Sequence, residues 1–174
     1  MADFKSFFPT LLHEEGGFVN DPLDHGGATN KGITLYTWEK SGYDKDADGD
    51  IDVNDLKIIS NEDAYRVYKV LYWDYVKGDD IVSQSVAEII FDWAVNSGVQ
   101  NATKRVQKLL GITADGIFGP QTLKAINQAL PKNLFDLIKA ARIAYYTNIV
   151  KANPSQQKFL KGWTYRINSF VFKG

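Results

Sequence analysis

HEEGGFVNDPLDHGGATNKGIT, residues 13 to 34, sets Glu14, Glu15, Asp21 and Asp24 among closely spaced glycines, with few side chains suited to a core. Upstream, Phe4, Phe7, Phe8, Leu11 and Leu12 recur at helical spacing. With Ser6 as cap and Pro9 in the first turn, the spacing predicts a helix that reaches Glu14 or Glu15 and stops at Gly16-Gly17. A carboxylate at that end feels the negative pole of the helix dipole, which disfavours its charged form. Such a group suits a general acid, which must arrive with its proton. Adjacent helical side chains point about 100° apart, so only one of the two glutamates can face a cleft. The glycines that follow favour Glu15, because they let the chain turn sharply and leave room for a sugar ring. The second carboxylate is Asp24 or Asp21, and the Thr29 hydroxyl can hold a water. Acidic, glycine-rich loops are also commonly no more than turns and caps.

Outward from this stretch, residues 17 to 34 read as a loop or small hairpin, followed by a short helix through Leu35, Trp38 and Glu39. Ser60 with Asp63 forms a capping-box pattern opening a helix to about Asp74. Ser83 or Ser85 opens another, through Ile89, Ile90 and Trp93, that ends at Gly98. Asn101 starts a helix closed by Gly111, Pro120 stands in the first turn of the next, Asn133 starts a long one, and Pro154 breaks the chain before the last. Six or seven helices with little strand predict a mainly α fold with a small β-hairpin or loop at the candidate site. No low-complexity linker separates independent domains. The expected division is a catalytic part, 1–98, with a helical lobe, 99–174, docked on it.

DKDADGDIDVND, residues 44 to 55, places Asp44, Asp46, Asp48, Gly49, Asp50, Ile51 and Asp55 at positions 1, 3, 5, 6, 7, 8 and 12 of an EF-hand calcium loop. Side-chain oxygens at alternate positions wrap a hard cation, Gly49 permits the sharp turn, Asp50 offers its backbone carbonyl, and Ile51 anchors the loop to the core. So many like charges repel without a cation. The expectation is a structural Ca2+ held by Asp44, Asp46, Asp48, Asp50 and Asp55, with aspartate in place of the usual final glutamate.

In FDWAVNSG, residues 91 to 98, Asp92 and Asn96 share one helix face. They either line a sugar groove or hydrogen-bond to the loop after Gly17. With Asn30 they are the candidate substrate-binding residues. Trp163 and Arg166 can contact saccharide, although an aromatic stripe is more often core.

The composition limits what else is possible. The 174 residues are 44% hydrophobic, enough for one core or for a small catalytic domain with a second lobe. Lys and Arg number 20 against 21 Asp and Glu, so no global basic field points to nucleic acid or an anionic membrane. The absence of cysteine excludes disulfides and thiol chemistry, and His13 and His25 are too few for an all-histidine metal centre. No segment reads as a membrane span. The first residues, MADFKSFFPTLLHEEGG, lack the pattern of a signal peptide. Action in the periplasm or cell wall would then need lysis, a holin-like pore or another export route, and a monomer is expected.

The string E-G-G-F-V-N-D-P-x-D-x-G-G-A-T-N-K-G-I-T resembles the signature of the glycoside hydrolase 108 family, bacterial and phage N-acetylmuramidases. The resemblance continues through FDWAVNSG at 91 to 98, KLLGITADGIFGPQTLKAIN at 108 to 127 and GWTYRI at 162 to 167. It implies a lysozyme-like fold, peptidoglycan glycan strands as partner, hydrolysis of the β-1,4 bond between N-acetylmuramic acid and N-acetylglucosamine, and Glu15 as the catalytic acid. The order Glu15, Asp24, Thr29 is also similar to the Glu, Asp, Thr set of phage endolysins, which implies Asp24 and Thr29 on the water side. ADGIFGPQT, residues 114 to 122, resembles the turn of peptidoglycan-binding modules. Two other readings keep the resemblance: a lytic transglycosylase, and a non-catalytic wall-binding or secretion-promoting accessory protein. A calcium-dependent interaction protein would explain residues 44 to 55 alone.

Overall fold

The computed structural model describes residues 1–20 and 27–174. These form two units, Phe4–Leu71, and Met1–Asp3 together with Tyr72–Gly174. Among the described residues the regular structure is helical apart from one two-stranded antiparallel sheet. Residues 98 and 99 both lie within the second unit.

The first unit opens with α1, Phe4–Glu15. Its buried stripe is Phe4, Phe7, Phe8 and Leu11, each worth roughly 1.5–3 kcal/mol against exposure. Tyr65 closes on it, with ring centroids 5.0 Å from both Phe4 and Phe8. Burial of Phe4 carries the helix back past Ser6, so Ser6 is not the cap. Pro9 stands inside the helix on its exposed side, where a lost backbone bond is least costly. A hairpin follows, β1 (Thr29–Asn30) and β2 (Ile33–Thr34), with Thr29 paired to Thr34 and Asn30 to Ile33. Val19 joins its edge through two 2.8 Å backbone bonds with Thr29. Thr34 caps α2, Leu35–Ser41, whose Trp38 is wholly buried.

After the acidic loop come α3, Val53–Lys57, and α4, Asn61–Tyr68. Both start with a complete capping box, Asp52 with Asp55 and the expected Ser60 with Asp63. The helix expected to reach Asp74 stops being α-helical at Tyr68, and the chain continues through a π-helical turn, Lys69–Trp73. Such turns insert a residue into a helix and are frequent at functional sites.

The second unit is built on α5, Gln84–Ser97, capped by Ser83. Val86, Ala87, Ile89, Ile90, Phe91, Asp92, Trp93 and Ala94 are all buried, the pattern of a helix surrounded by others. It packs on α6, Val99–Leu109, and on α8, Pro131–Ala152, which in turn packs on α9, Gln157–Ser169. Between them lies α7, Pro120–Gln128, with its proline in the first turn as expected. Two helix starts differ from expectation. Gly98 rather than Asn101 precedes α6, and Asn101 serves instead as a side-chain acceptor for Arg105 and a donor to Tyr145. α8 begins at Pro131, two residues before Asn133, because proline's fixed φ suits a first turn.

Candidate active site

Glu15 is the last residue of α1 and is half-buried, whereas Glu14 is exposed. Its carboxyl meets the tip of the hairpin. The turn residues Lys31 and Gly32 both adopt left-handed backbone, at φ 51° and 76°, as a two-residue type I′ hairpin requires. Gly32 also has no room for a side chain. A Cβ there would stand 2.8 Å from the Glu15 carboxyl carbon and would collide with the hydroxyl of Tyr68. Tyr68, buried at the end of α4, donates that hydroxyl to the carbonyl of Lys31 at 2.9 Å. Glu15, the glycine of the turn and Tyr68 are therefore one close-packed group. Sequence reasoning singled out Glu15 as the candidate acid and did not draw in Tyr68, which sat in a helix read for its cap.

Thr29 lies on β1, half-buried, a few residues along the same hairpin. Asp24, its rival Asp21, and His25 lie outside the described residues. Asn30, expected to bind substrate, is 5% exposed and gives its side-chain amide to the carbonyls of Leu56, at 2.8 Å, and Lys57, at 3.2 Å. It fastens the hairpin to α3, and these two bonds occupy both of its N–H donors.

The acidic loop ends where α3 begins. Asp44 accepts the amides of Ala47, Asp48 and Gly49 at 2.6, 3.2 and 2.9 Å, and Gly49 turns the chain at φ 106°. Carboxylate oxygens of Asp44, Asp46 and Asp48 come within 4.8 Å of one another, and so do those of Asp50, Asp52 and Asp55. Burial, followed by the charge of Asp48, pushes the Asp46 carboxyl above its ordinary value, and the charge of Asp48 does the same to Asp50. Asp55 is fully buried. It accepts the amides of Asp52 at 2.8 Å, Lys45 at 2.5 Å and Asp46 at 3.1 Å, and these bonds hold it below its ordinary value. Asp52 joins this group, a residue the twelve-position pattern had not drawn in. Ile51 is only half-buried, and the apolar anchor of the segment is Leu56, wholly buried.

In the second unit, Asp92 does not face a groove. Its side chain is 1% exposed and carries two arginines: Arg142 donates to Oδ2 at 2.6 Å, and Arg166 to Oδ1 at 2.6 and 3.0 Å. Asn96, exposed one turn on, adds 2.9 and 3.1 Å bonds to the Asp92 carbonyl and Oδ2. A buried carboxylate must be paired, and this one ties α5 to α8 and α9. Arg166 is thereby placed in the ion cluster. Trp163 stacks on Tyr146 at 4.8 Å with Phe159 at 5.7 Å, so neighbouring rings already cover it.

The ADGIFGPQT turn is organised by a residue the sequence did not single out. Buried Gln107 donates to Asp115 at 2.8 Å, to Thr122 at 3.0 Å and to the Ile117 carbonyl at 3.1 Å, and accepts the Gly116 amide at 2.9 Å. One amide side chain thus holds both ends of the loop that leads into α7.

The chain matches known families in two consecutive segments. Residues 8–98 match Glycosyl hydrolase 108, and residues 101–168 match a family described as Predicted Peptidoglycan domain. No curated protein sequence matches it. Among solved structures it is similar to one titled Structure of Brucella abortus SagA, with a TM-score of 0.79 and 33% identity, covering 96% of this chain and 90% of that one. The helical fold with one small hairpin fits the lysozyme-like architecture that the sequence resemblance implies. These matches mark the chain as a peptidoglycan-directed glycoside hydrolase acting at the cell wall. By the extent of the first match and the identity across nearly its whole length, the chain belongs to the glycosyl hydrolase 108 family.

Proposed function

We propose that the protein is an N-acetylmuramidase that hydrolyses the β-1,4 bond between N-acetylmuramic acid and N-acetylglucosamine, with Glu15 as general acid. The observation that carries this reading is the placement of Glu15. Of two adjacent glutamates it alone is drawn out of solvent, at a helix C-terminus, against a turn whose glycine leaves the carboxyl space. The protonated carboxyl gives its proton to the bridging oxygen as the bond from the anomeric carbon breaks. The sugar passes through an oxocarbenium-like state, and a water supplies the new hydroxyl. Thr29 on the hairpin and Asp24 are the groups we assign to that water. Residues 101–168 supply further contacts to the glycan strand.

We further propose that the acidic loop holds a structural Ca2+ through Asp44, Asp46, Asp48, Asp50 and Asp55. All the donors are hard oxygens, as the ion requires, and two carboxylate triplets already converge. The ion would neutralise the loop and steady α3, while Glu15 on α1 and the hairpin beside it do the chemistry.

Digestion of purified peptidoglycan in 18O-water tests the reaction. Hydrolysis yields muramic acid reducing ends carrying one 18O, as expected. Unlabelled 1,6-anhydro ends would make the protein a lytic transglycosylase, and sedimentation with the wall without release of fragments would make it a binding protein.

A further inference from the structure

We infer that the Lys57 ammonium, held over the ring of Phe18, binds a carboxylate on the peptide branch of muramic acid and so selects wall strands with charged peptides. The inference rests on the proposed cleavage at Glu15. Phe18 follows Glu15 by three residues, through Gly16 and Gly17. With consecutive Cα atoms about 3.8 Å apart, the two residues are at most about 11 Å from each other, which places the ring beside a strand cut at Glu15.

The hairpin and α3 fix the pair. Val19 pairs with Thr29 in antiparallel register, which sets Phe18 against Asn30 and on the same face. That face looks toward α3, because the Asn30 side chain reaches the carbonyls of Leu56 and Lys57 at 2.8 and 3.2 Å. From α3 the Lys57 ammonium lies over the Phe18 ring, 5.7 Å from its centre. The acids nearest in sequence are committed elsewhere. Asp55 accepts the amides of Lys45, Asp46 and Asp52, and Asp52 accepts the backbone and side-chain amides of Asn54. No carboxylate among the described residues pairs with Lys57, which is exposed, as is Phe18. An ammonium held over a ring keeps its N–H donors for a ligand and loses less freedom on binding than a lysine adrift in water.

The pair is therefore an apolar face with a positive charge beside it. In a wall strand the matching groups stand on muramic acid and are absent from N-acetylglucosamine. Its lactyl ether brings a methyl, and the short peptide joined to that ether carries free carboxylates. The methyl suits the ring of Phe18, and a carboxylate suits the ammonium.

The test compares native peptidoglycan with the same material whose carboxyls have been converted to methylamides by carbodiimide coupling. Wild type, Lys57→Met and Lys57→Arg are assayed on both, each checked for an unchanged melt. The wild type should show a KM about two- to fivefold lower for the native wall, the scale of one exposed ion pair. Lys57→Met should lose that preference by raising the KM for the native wall, and Lys57→Arg should keep it. A preference that survives in Lys57→Met, or is missing from the wild type, would overturn the inference. So would a loss in Lys57→Met that is equal on both substrates, as a purely structural lysine would give. If Lys57→Met does not fold, salt provides the second measurement. The wild-type preference should fade between about 0.02 and 0.5 M, as screening shortens, and a preference indifferent to salt would overturn the inference. A wild type that cuts neither substrate defeats the proposed cleavage instead, and cosedimentation of the same proteins with the two walls then reads the same preference as a ratio of Kd values.

Discussion

Asn30 in the hairpin donates its side-chain amide to the carbonyl of Leu56, 26 residues away in the helix that leaves the acidic loop, at 2.8 Å. A bond of this kind makes the hairpin and the loop one mechanical piece. Asn30→Ala leaves the Leu56 carbonyl buried without that donor and should cost about 1–3 kcal/mol in urea unfolding. A loss below about 0.5 kcal/mol, the usual range for an uninvolved surface site, would show that the two elements hold without it.

Asp92 offers a second test, because its burial separates a structural from a sugar-binding role. Asp92→Ala leaves Arg142 charged and buried, which should destabilise the fold by about 3–5 kcal/mol. The KM of whatever folded protein remains should not change. A raised KM with normal stability would return Asp92 to the groove.

The acidic loop predicts a metal dependence. Calcium should raise the melting temperature and a chelator should reverse the effect, with about 2.7 kcal/mol gained at a hundred times the Kd. Asp44→Asn combined with Asp48→Asn should abolish the response. Calorimetry that shows the same melting temperature with calcium and with chelator would refute the site.

Asp63 predicts a dependence on acid. Burial pushes its carboxyl up, but the Lys45 ammonium at 2.8 Å, the Ser60 amide and hydroxyl, and the Tyr43 hydroxyl outweigh it and hold the group far below its ordinary value of 3.8. With the folded value depressed, the stabilisation is complete above pH 3.8 and is lost as the pH falls toward the folded value. The stability difference between the wild type and Asp63→Asn should therefore be constant from pH 5 to 7 and shrink below about pH 4 in thermal melts. A difference that grows on acidification would contradict the pairing.

Much of the helical framework was legible because its signals are local. Ser60 with Asp63, Ser83, Gly98 and Pro120 mark helix ends by chemistry within one turn, and the structure uses each of them. The misread starts at Ser6, Asn101 and Asn133 are sites where a cap-like residue lost to packing or to proline. Phe4 draws α1 back past Ser6, and Pro131 begins α8 ahead of Asn133. At the site, Glu15 could be picked from its helix end and the glycines beside it. The partners of Asn30, Asp92 and Gln107 could not, because each bond joins elements whose contact depends on the fold. Tyr68 escaped for the same reason, as its hydrogen bond reaches a hairpin turn 37 residues upstream.

The most direct test of the assignment of Glu15 is the release of soluble muropeptides by Glu15→Gln against the wild type, each checked for an unchanged melt. Glutamine keeps the shape and removes the proton donor, and loss of one general acid is expected to cost at least 100-fold, roughly the scale of such catalysis. A folded Glu15→Gln that releases fragments at the wild-type rate would contradict that role and send the search for the acid elsewhere in the chain.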